Sequence, residues 1–296
     1  MKNIITCSVF IFFISLVFCD EDEKYIFISK KFNEDNIDKE KTYKTYRNLS
    51  FTIPSIGYIQ YTSSFNEKMK YVGKKGGVHV IESTLTDLET SNTVANIEIM
   101  DPYWEAMDGA PCHLYIDRHG TVDHIEPVDK KEHEYLQEAF DAAFNGMFEK
   151  NYLYPFYLYR GMKGDSTEGI KEGESWTAGV DSSKFYFTMD SPPSFSWSKD
   201  TYKLIKVKDK KSGKIATVKN SATLILDVNI RMNIFGEERV ITGRAEGTVN
   251  GKYKWDIGAG EIIYARIRSN LQGDFKMDDE TFFTQLTRDE IHKLLK

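Results

Sequence analysis

From Ile53 onward the sequence alternates apolar and polar residues with a period of two, in YIQYTSSF, VHVIESTLTDL, TVANIEIM, TYKLIKVK, ATLILDVNIRMNI and EIIYARIRS. Successive side chains of an extended strand point to opposite faces, so this period marks strands with one buried face rather than helices. The segments are rich in Ile, Val, Thr and Tyr, and clusters of Gly, Asn, Asp or Ser bound them, as strands separated by turns require. DRHG (117–120) and DKKSG (209–213) each put Gly where a left-handed conformation is wanted. Asn250-Gly251 fits a two-residue primed turn, and DIGAGE (256–261) supplies a glycine-rich turn before another strand. Strands joined by successive hairpins form an antiparallel sheet.

One segment breaks the rhythm. Residues 129–150, DKKEHEYLQEAFDAAFNGMFEK, place Leu136, Phe140, Ala143, Phe144 and Met147 on one helical stripe, with no proline to interrupt it. A shorter helix is expected near the C-terminus, where Thr287 and Glu290 have capping-box spacing before Ile291, Leu294 and Leu295. The stripe of the longer helix has to be buried, and a sheet that curls around it does so most economically. The expected fold is therefore mainly β within the α+β class: a curled antiparallel half-barrel sheet wrapped around one amphipathic helix. No proline-rich linker or internal repeat calls for a second domain, so residues 49–296 are expected to form one.

The N-terminus says where such a domain works. Lys2 is the only charge before an apolar run from Ile4 to Cys19, which gives way abruptly to Asp20-Glu21-Asp22-Glu23. This is the shape of a signal peptide over residues 1–19, with cleavage after Cys19, and it predicts an extracytoplasmic protein, periplasmic or secreted. Two rivals stay open: Leu16-Val17-Phe18-Cys19 resembles a lipobox that would anchor the chain by acylating Cys19, and the run could be retained as an anchor. Residues 20–48 are dominated by Asp, Glu, Lys and Asn and are expected to form a charged, partly disordered arm with an edge strand at 25–30. Asn48-Leu49-Ser50 fits a glycosylation sequon, a pattern too short to decide anything.

Loss of Lys2 with the leader takes the formal charge from −6 to −7. An acidic chain with Lys and Glu interspersed shows no basic face, which argues against nucleic acid as a partner. Cys112 is the only cysteine outside the leader, so no internal disulfide is expected and the core has to hold the fold.

The stretches Ile116 to Val122, the 129–150 segment, Lys171-Glu172-Gly173-Glu174-Ser175-Trp176, and Gly251 to Gly260 with Trp255-Asp256 resemble an uncharacterised family of exported bacterial β-rich envelope proteins. Its shared features are a hydrophobic-Asp-x-x-Gly-x-Val hairpin, a helix, a Lys-x-Gly-x-Ser-Trp segment and late strands carrying Gly, an aromatic-Asp pair and Gly. The resemblance runs from about Gly57 to Gln272. It implies a half-barrel plan similar to periplasmic lipoprotein carriers, and no catalytic residues.

HLYIDRHGTVDHIE (113–126) holds His113, His119 and His124 beside Asp117, Asp123 and Glu126. In a hairpin closed by Gly120, Ile116 pairs with Val122 and Leu114 with His124, which sends His113 and His124 to opposite faces. They cannot then share a metal that needs three or four ligands, and a polar hairpin is expected instead. GESWT (173–177) lacks the last glycine of a nucleophile elbow, and HEYLQ (133–137) has Gln137 where a zinc-protease helix needs histidine. Cys112 has no cationic neighbours in sequence and is expected to be a half-buried structural residue. No catalytic residue, metal or cofactor is expected.

Eleven of the forty aromatic residues fall between Tyr152 and Trp197. Rings in such a cluster either complete a core or line a mouth where an apolar ligand is buried. On the second reading Leu136, Phe140, Phe144 and Met147 form the floor and Tyr154, Phe156, Tyr157, Trp176, Phe187 and Trp197 the walls. The expected function is non-enzymatic binding of an apolar molecule, a lipid or acyl chain, with peripheral membrane contact allowed. The alternative is an envelope module that binds a protein partner through a sheet edge or the charged arm.

Overall fold

The computed structural model describes residues 23–25, 37–53, 57–93, 108–116, 122–129, 169–177, 194–234 and 237–295. The strands are β1 (Glu40–Ile53), β2 (Gly57–Lys75), β3 (Val78–Asn92), β4 (Pro111–Ile116), β5 (Val122–Pro127), β6 (Ser175–Thr177), β7 (Ser194–Lys210), β8 (Gly213–Ile234), β9 (Glu237–Asp256), β10 (Glu261–Met277) and β11 (Glu280–Leu294). They form one sheet in the order β5-β4-β3-β2-β1-β11-β10-β9-β8-β7-β6. Two antiparallel meanders, β1–β5 and β6–β11, thus lie side by side and meet where β1 pairs with β11 from Tyr43↔Leu294 to Ser50↔Thr287.

The strands are unusually long. β8 has 22 residues, about 70 Å at the usual rise, against a typical strand of about 5–6 residues. Turn chemistry sets the registers. Gly76 and Gly77, with φ of 58° and 87°, close the β2–β3 hairpin between Lys75 and Val78, the all-positive geometry of a two-residue turn that follows the twist of its strands.

Strand alternation buries one face throughout. Phe65, Met69 and Tyr71 of β2, Val218, Leu224 and Leu226 of β8, and Val249, Tyr253 and Trp255 of β9 are all buried. On that inner face β9 carries glycines four residues apart, and each sits opposite a large β10 residue: Gly243 by Phe275, Gly247 by Leu271, Gly251 by Ile267. A Cβ built on Gly247 would lie 1.9 Å from the Asn270 carbonyl oxygen, and one on Gly243 would lie 2.7 Å from the Phe275 ring. The alternation of large and absent side chains lets the two backbones approach, with the Phe275 ring beside Gly243 and the Tyr253 ring beside Gly251.

Several expectations are corrected. The α+β half-barrel wrapped around one helix gives way to an all-β architecture: one open antiparallel sheet, with no helix among the described residues. The segment expected to be that helix, 129–150, lies outside the described residues except for Asp129. The expected C-terminal helix is strand β11. Thr287 bonds to Ser50 Oγ at 2.6 Å across the sheet, and pairing with both β1 and β10 satisfies the backbone of the segment more fully than a lone helical turn would. Asn250-Gly251 is no turn but the middle of β9, where the Tyr253 ring occupies the space a Gly251 side chain would fill. Residues 40–48 of the expected arm belong to β1. Tyr25 makes a two-way backbone bridge to Ile170, and 26–30 lie outside the described residues.

Candidate functional site

The inner face divides into two chemically distinct regions. Over β6–β10 it is an apolar band in which Trp176, Tyr202, Leu204, Val218, Ala222, Leu224, Tyr253, Ile267 and Leu271 pack into one buried cluster. Trp176 stacks on Tyr202 with ring centroids 5.6 Å apart, and Tyr202 meets Tyr253 at 6.3 Å. The indole Nε1 of Trp176 is buried with no hydrogen-bond partner among the described residues, so the ring packs there as an apolar body. Burial of a Leu or Val in such a band contributes roughly 1.5–3 kcal/mol.

Where β1 meets β11 the same face becomes charged. Glu290 is fully buried; its Oε1 accepts from Arg47 Nε at 3.1 Å and from His292 Nε2 at 2.5 Å, and its Oε2 accepts from Arg288. With Nε2 donating, His292 Nδ1 is free to accept from Thr45 Oγ1 at 2.9 Å. Burial alone would raise the Glu290 pKa, but Arg288, Arg47 and His292 together hold it well below the usual carboxylate range. Arg47 also lies over the Phe65 ring, 5.2 Å from its centroid. On β2, Glu67 is buried and accepts from Ser83 Oγ at 2.9 Å. Burial, then Glu261 and Glu67, push the Tyr43 hydroxyl well above its ordinary value. The region is a closed network rather than an acid/base pair aimed at open space, since both Glu290 oxygens are engaged.

Of the residues expected to bind a ligand, Trp176 lies in the apolar band. Trp197 is placed on β7 opposite Leu224 by its backbone alone. Leu136, Phe140, Phe144, Met147, Tyr154, Phe156, Tyr157 and Phe187 lie outside the described residues. Sequence reasoning missed Tyr202, Tyr253 and Trp255; each stands on an alternating strand, but only the register shows that they share a face with Trp176.

The histidine hairpin is also corrected. An irregularity between Tyr115 and Ile116 shifts the pairing, so that Tyr115 faces His124, Leu114 faces Ile125 and His113 faces Glu126. His113 and His124 therefore share a face, with Tyr115 between them: its ring stacks on His124 at 4.0 Å and meets His113 edge-on at 6.4 Å. The tyrosine hydroxyl donates to Glu126 at 3.1 Å and accepts from Lys75 at 3.2 Å. No group of three or more His, Cys, Asp or Glu side chains suited to a metal ion occurs among the described residues. Cys112 is fully rather than half buried, and burial, then Glu67 and Glu82, raise its thiol pKa well above the ordinary value.

No protein-family model matches the chain, and no curated protein matches it in sequence. Among solved structures it is similar to lipovitellin, studied for its lipid–protein interactions, at 10% identity and a TM-score of 0.46 over 88% of this chain. A mutant porin of Rh. blastica superposes at 8% identity and a TM-score of 0.22, covering 88% of this chain and 100% of the porin. OpdQ of Pseudomonas aeruginosa does so at 7% and 0.21, covering 88% and 99%. The chain spans about a quarter of the length of the lipovitellin chain, 25%.

Proposed function

We propose that this is a non-enzymatic, extracytoplasmic protein that holds an apolar molecule, a lipid or an acyl chain, against the inner face of its sheet. The observation that carries the reading is the apolar band of β6–β10, in which rings from three strands, Trp176, Tyr202 and Tyr253, form a continuous series, the two tyrosines on strands of 17 and 20 residues. A long chain molecule gains contact with every strand it crosses, and the gain scales with the apolar area removed from water. The leader-like residues 1–19 support the location. The buried charges at the β1–β11 joint engage one another, with both Glu290 oxygens taken up, which supports a binding rather than a catalytic role.

Native mass spectrometry of the purified protein, with organic extraction of the same sample, tests the reading. A stoichiometric lipid or acyl species is expected, and Trp176 emission should respond when a pyrene-labelled fatty acid is added to extracted protein. A protein that yields no lipid and takes up no labelled acyl chain overturns it.

A further inference from the structure

The outer face, opposite the apolar band, has its own organisation that only the strand registers bring out. One cross-strand row runs Lys203, Lys219, Lys252, Arg266, Ile291, Tyr46 from β7 to β1, and the next runs Lys206, Thr217, Lys254, Tyr264, Lys293, Lys44. These two rows hold eight cations and no carboxylate, in a chain whose net charge is −6. Neighbouring strands lie about 4.8 Å apart, so Lys203, Lys219 and Lys252 of the first row stand side by side well inside a Debye length of about 8 Å, while Arg266 is paired with Asp289. Like charges directly opposite one another in a sheet are destabilising. An anion laid across the rows removes that repulsion.

Two residues further along the strands the face changes character without changing direction. A groove of about 350 Å³ is lined there by Asn48, Thr248, Asn250, Asn270 and Thr287, with Tyr58 at its rim, 57% exposed. Asp289 lies in it and accepts from Arg266 Nε at 2.8 Å and from Arg268 Nε at 3.3 Å. Arg268 and Asp289 form a charged pair in the groove, and the amides and hydroxyls around them are neutral donors and acceptors. Beyond it the face turns mixed and acidic, with Glu246 opposite Gln272 and Arg244 between Asp227 and Asp274. The basic rows and the hydroxyl-rich groove thus form one bounded strip.

We propose that this outer face binds an acidic polysaccharide, whose sulfates or carboxylates meet the Lys203–Arg266 and Lys206–Lys44 rows while its hydroxyls meet Asn250, Asn270 and Thr287 in the groove. Both halves of the strip are then used. A lipid surface would satisfy the cations but has no use for a concave set of amides. A single-stranded nucleic acid would place phosphates on the lysines, yet its bases need stacking platforms rather than hydroxyls. The site lies on the opposite face from the proposed apolar ligand and is independent of it.

Titration of the full-length mature protein with size-defined heparin oligosaccharides at physiological ionic strength tests the proposal, with neutral dextran, phosphatidylcholine–phosphatidylserine vesicles and duplex DNA as comparison probes. Saturable binding that weakens with salt is expected for the sulfated oligosaccharide and not for dextran. The K219E/K252E variant should bind about tenfold more weakly or worse, with an unfolding midpoint no lower than that of the parent protein, because two of the three like-charge contacts along the row become opposite-charge ones. N250A/N270A should weaken binding severalfold while leaving the salt dependence unchanged. The proposal is overturned if the oligosaccharide does not bind, if K219E/K252E binds as well as the parent, or if vesicles or DNA bind equally well at matched charge.

Discussion

Arg47 on β1 donates from Nε to Oε1 of Glu290 on β11 at 3.1 Å, and the pair spans the joint between the two meanders. Both groups are buried, so removal of the carboxylate strands Arg47 and Arg288 in a low-dielectric interior. Glu290→Ala is expected to cost about 3–5 kcal/mol of unfolding free energy, read from the urea midpoint. A loss below about 1 kcal/mol, the range of an exposed pair, would contradict the assignment.

The same carboxylate sets an acid limit. Its folded-state pKa is depressed by Arg288, Arg47 and His292 against the opposing effect of burial, so its contribution is fully present above the unfolded carboxylate value of about 4.3. That contribution is lost as pH falls through the lower folded value. Urea midpoints measured from pH 6 down to 2 should fall steeply in the parent protein and more gently in Glu290→Gln. Parallel profiles would show that other carboxylates set the limit.

Close approach of β9 and β10 leaves no room for a methyl group at two glycines. A Cβ at Gly247 or Gly273 would sit 1.9 Å from a facing carbonyl oxygen, that of Asn270 or Arg244, whereas at Gly258 the nearest atom is Asp256 Oδ1 at 3.4 Å. Gly247→Ala and Gly273→Ala should each lose more than about 2 kcal/mol or fail to fold, and Gly258→Ala should stay within about 0.5 kcal/mol of the parent. Thermal melts of the three proteins decide it.

Burial and two neighbouring carboxylates keep the Cys112 thiol protonated and out of reach. Its reaction with a disulfide reagent at pH 8 should therefore be rate-limited by opening of the sheet and should accelerate with urea in step with unfolding. Immediate stoichiometric labelling of the native protein would show an exposed thiol.

The strand content was legible because alternation survives in the sequence wherever one face is buried: VHVIESTLTDL, TYKLIKVK and EIIYARIRS all lie in strands. Local signals failed where long-range pairing outweighed them. Thr287 and Glu290 have helix-cap spacing, but one bonds to Ser50 and the other to Arg47, each more than two hundred residues away. The one-residue shift in the histidine hairpin came from an irregularity that no turn motif announces, and it reversed the predicted faces of His113 and His124. The basic rows were illegible for a related reason. Lys203, Lys219, Lys252 and Arg266 are scattered among acids along the chain, and only pairing aligns them. The apolar band was half legible: aromatic density flagged Trp176, whereas its partners Tyr202 and Tyr253 emerged from the register.

Because β1 is hydrogen-bonded to β11, the earliest of the described strands to leave the ribosome has one neighbour soon and must wait for the latest of them to gain the other. Each doubling of such a loop adds only about 0.6 kcal/mol of closure entropy, so the delay is chiefly one of time rather than of equilibrium. In the interval β1 presents an unpaired edge bearing buried-type residues such as Tyr43 and Arg47. A chaperone that holds the nascent chain extended until translation ends would protect that edge from pairing with a second chain.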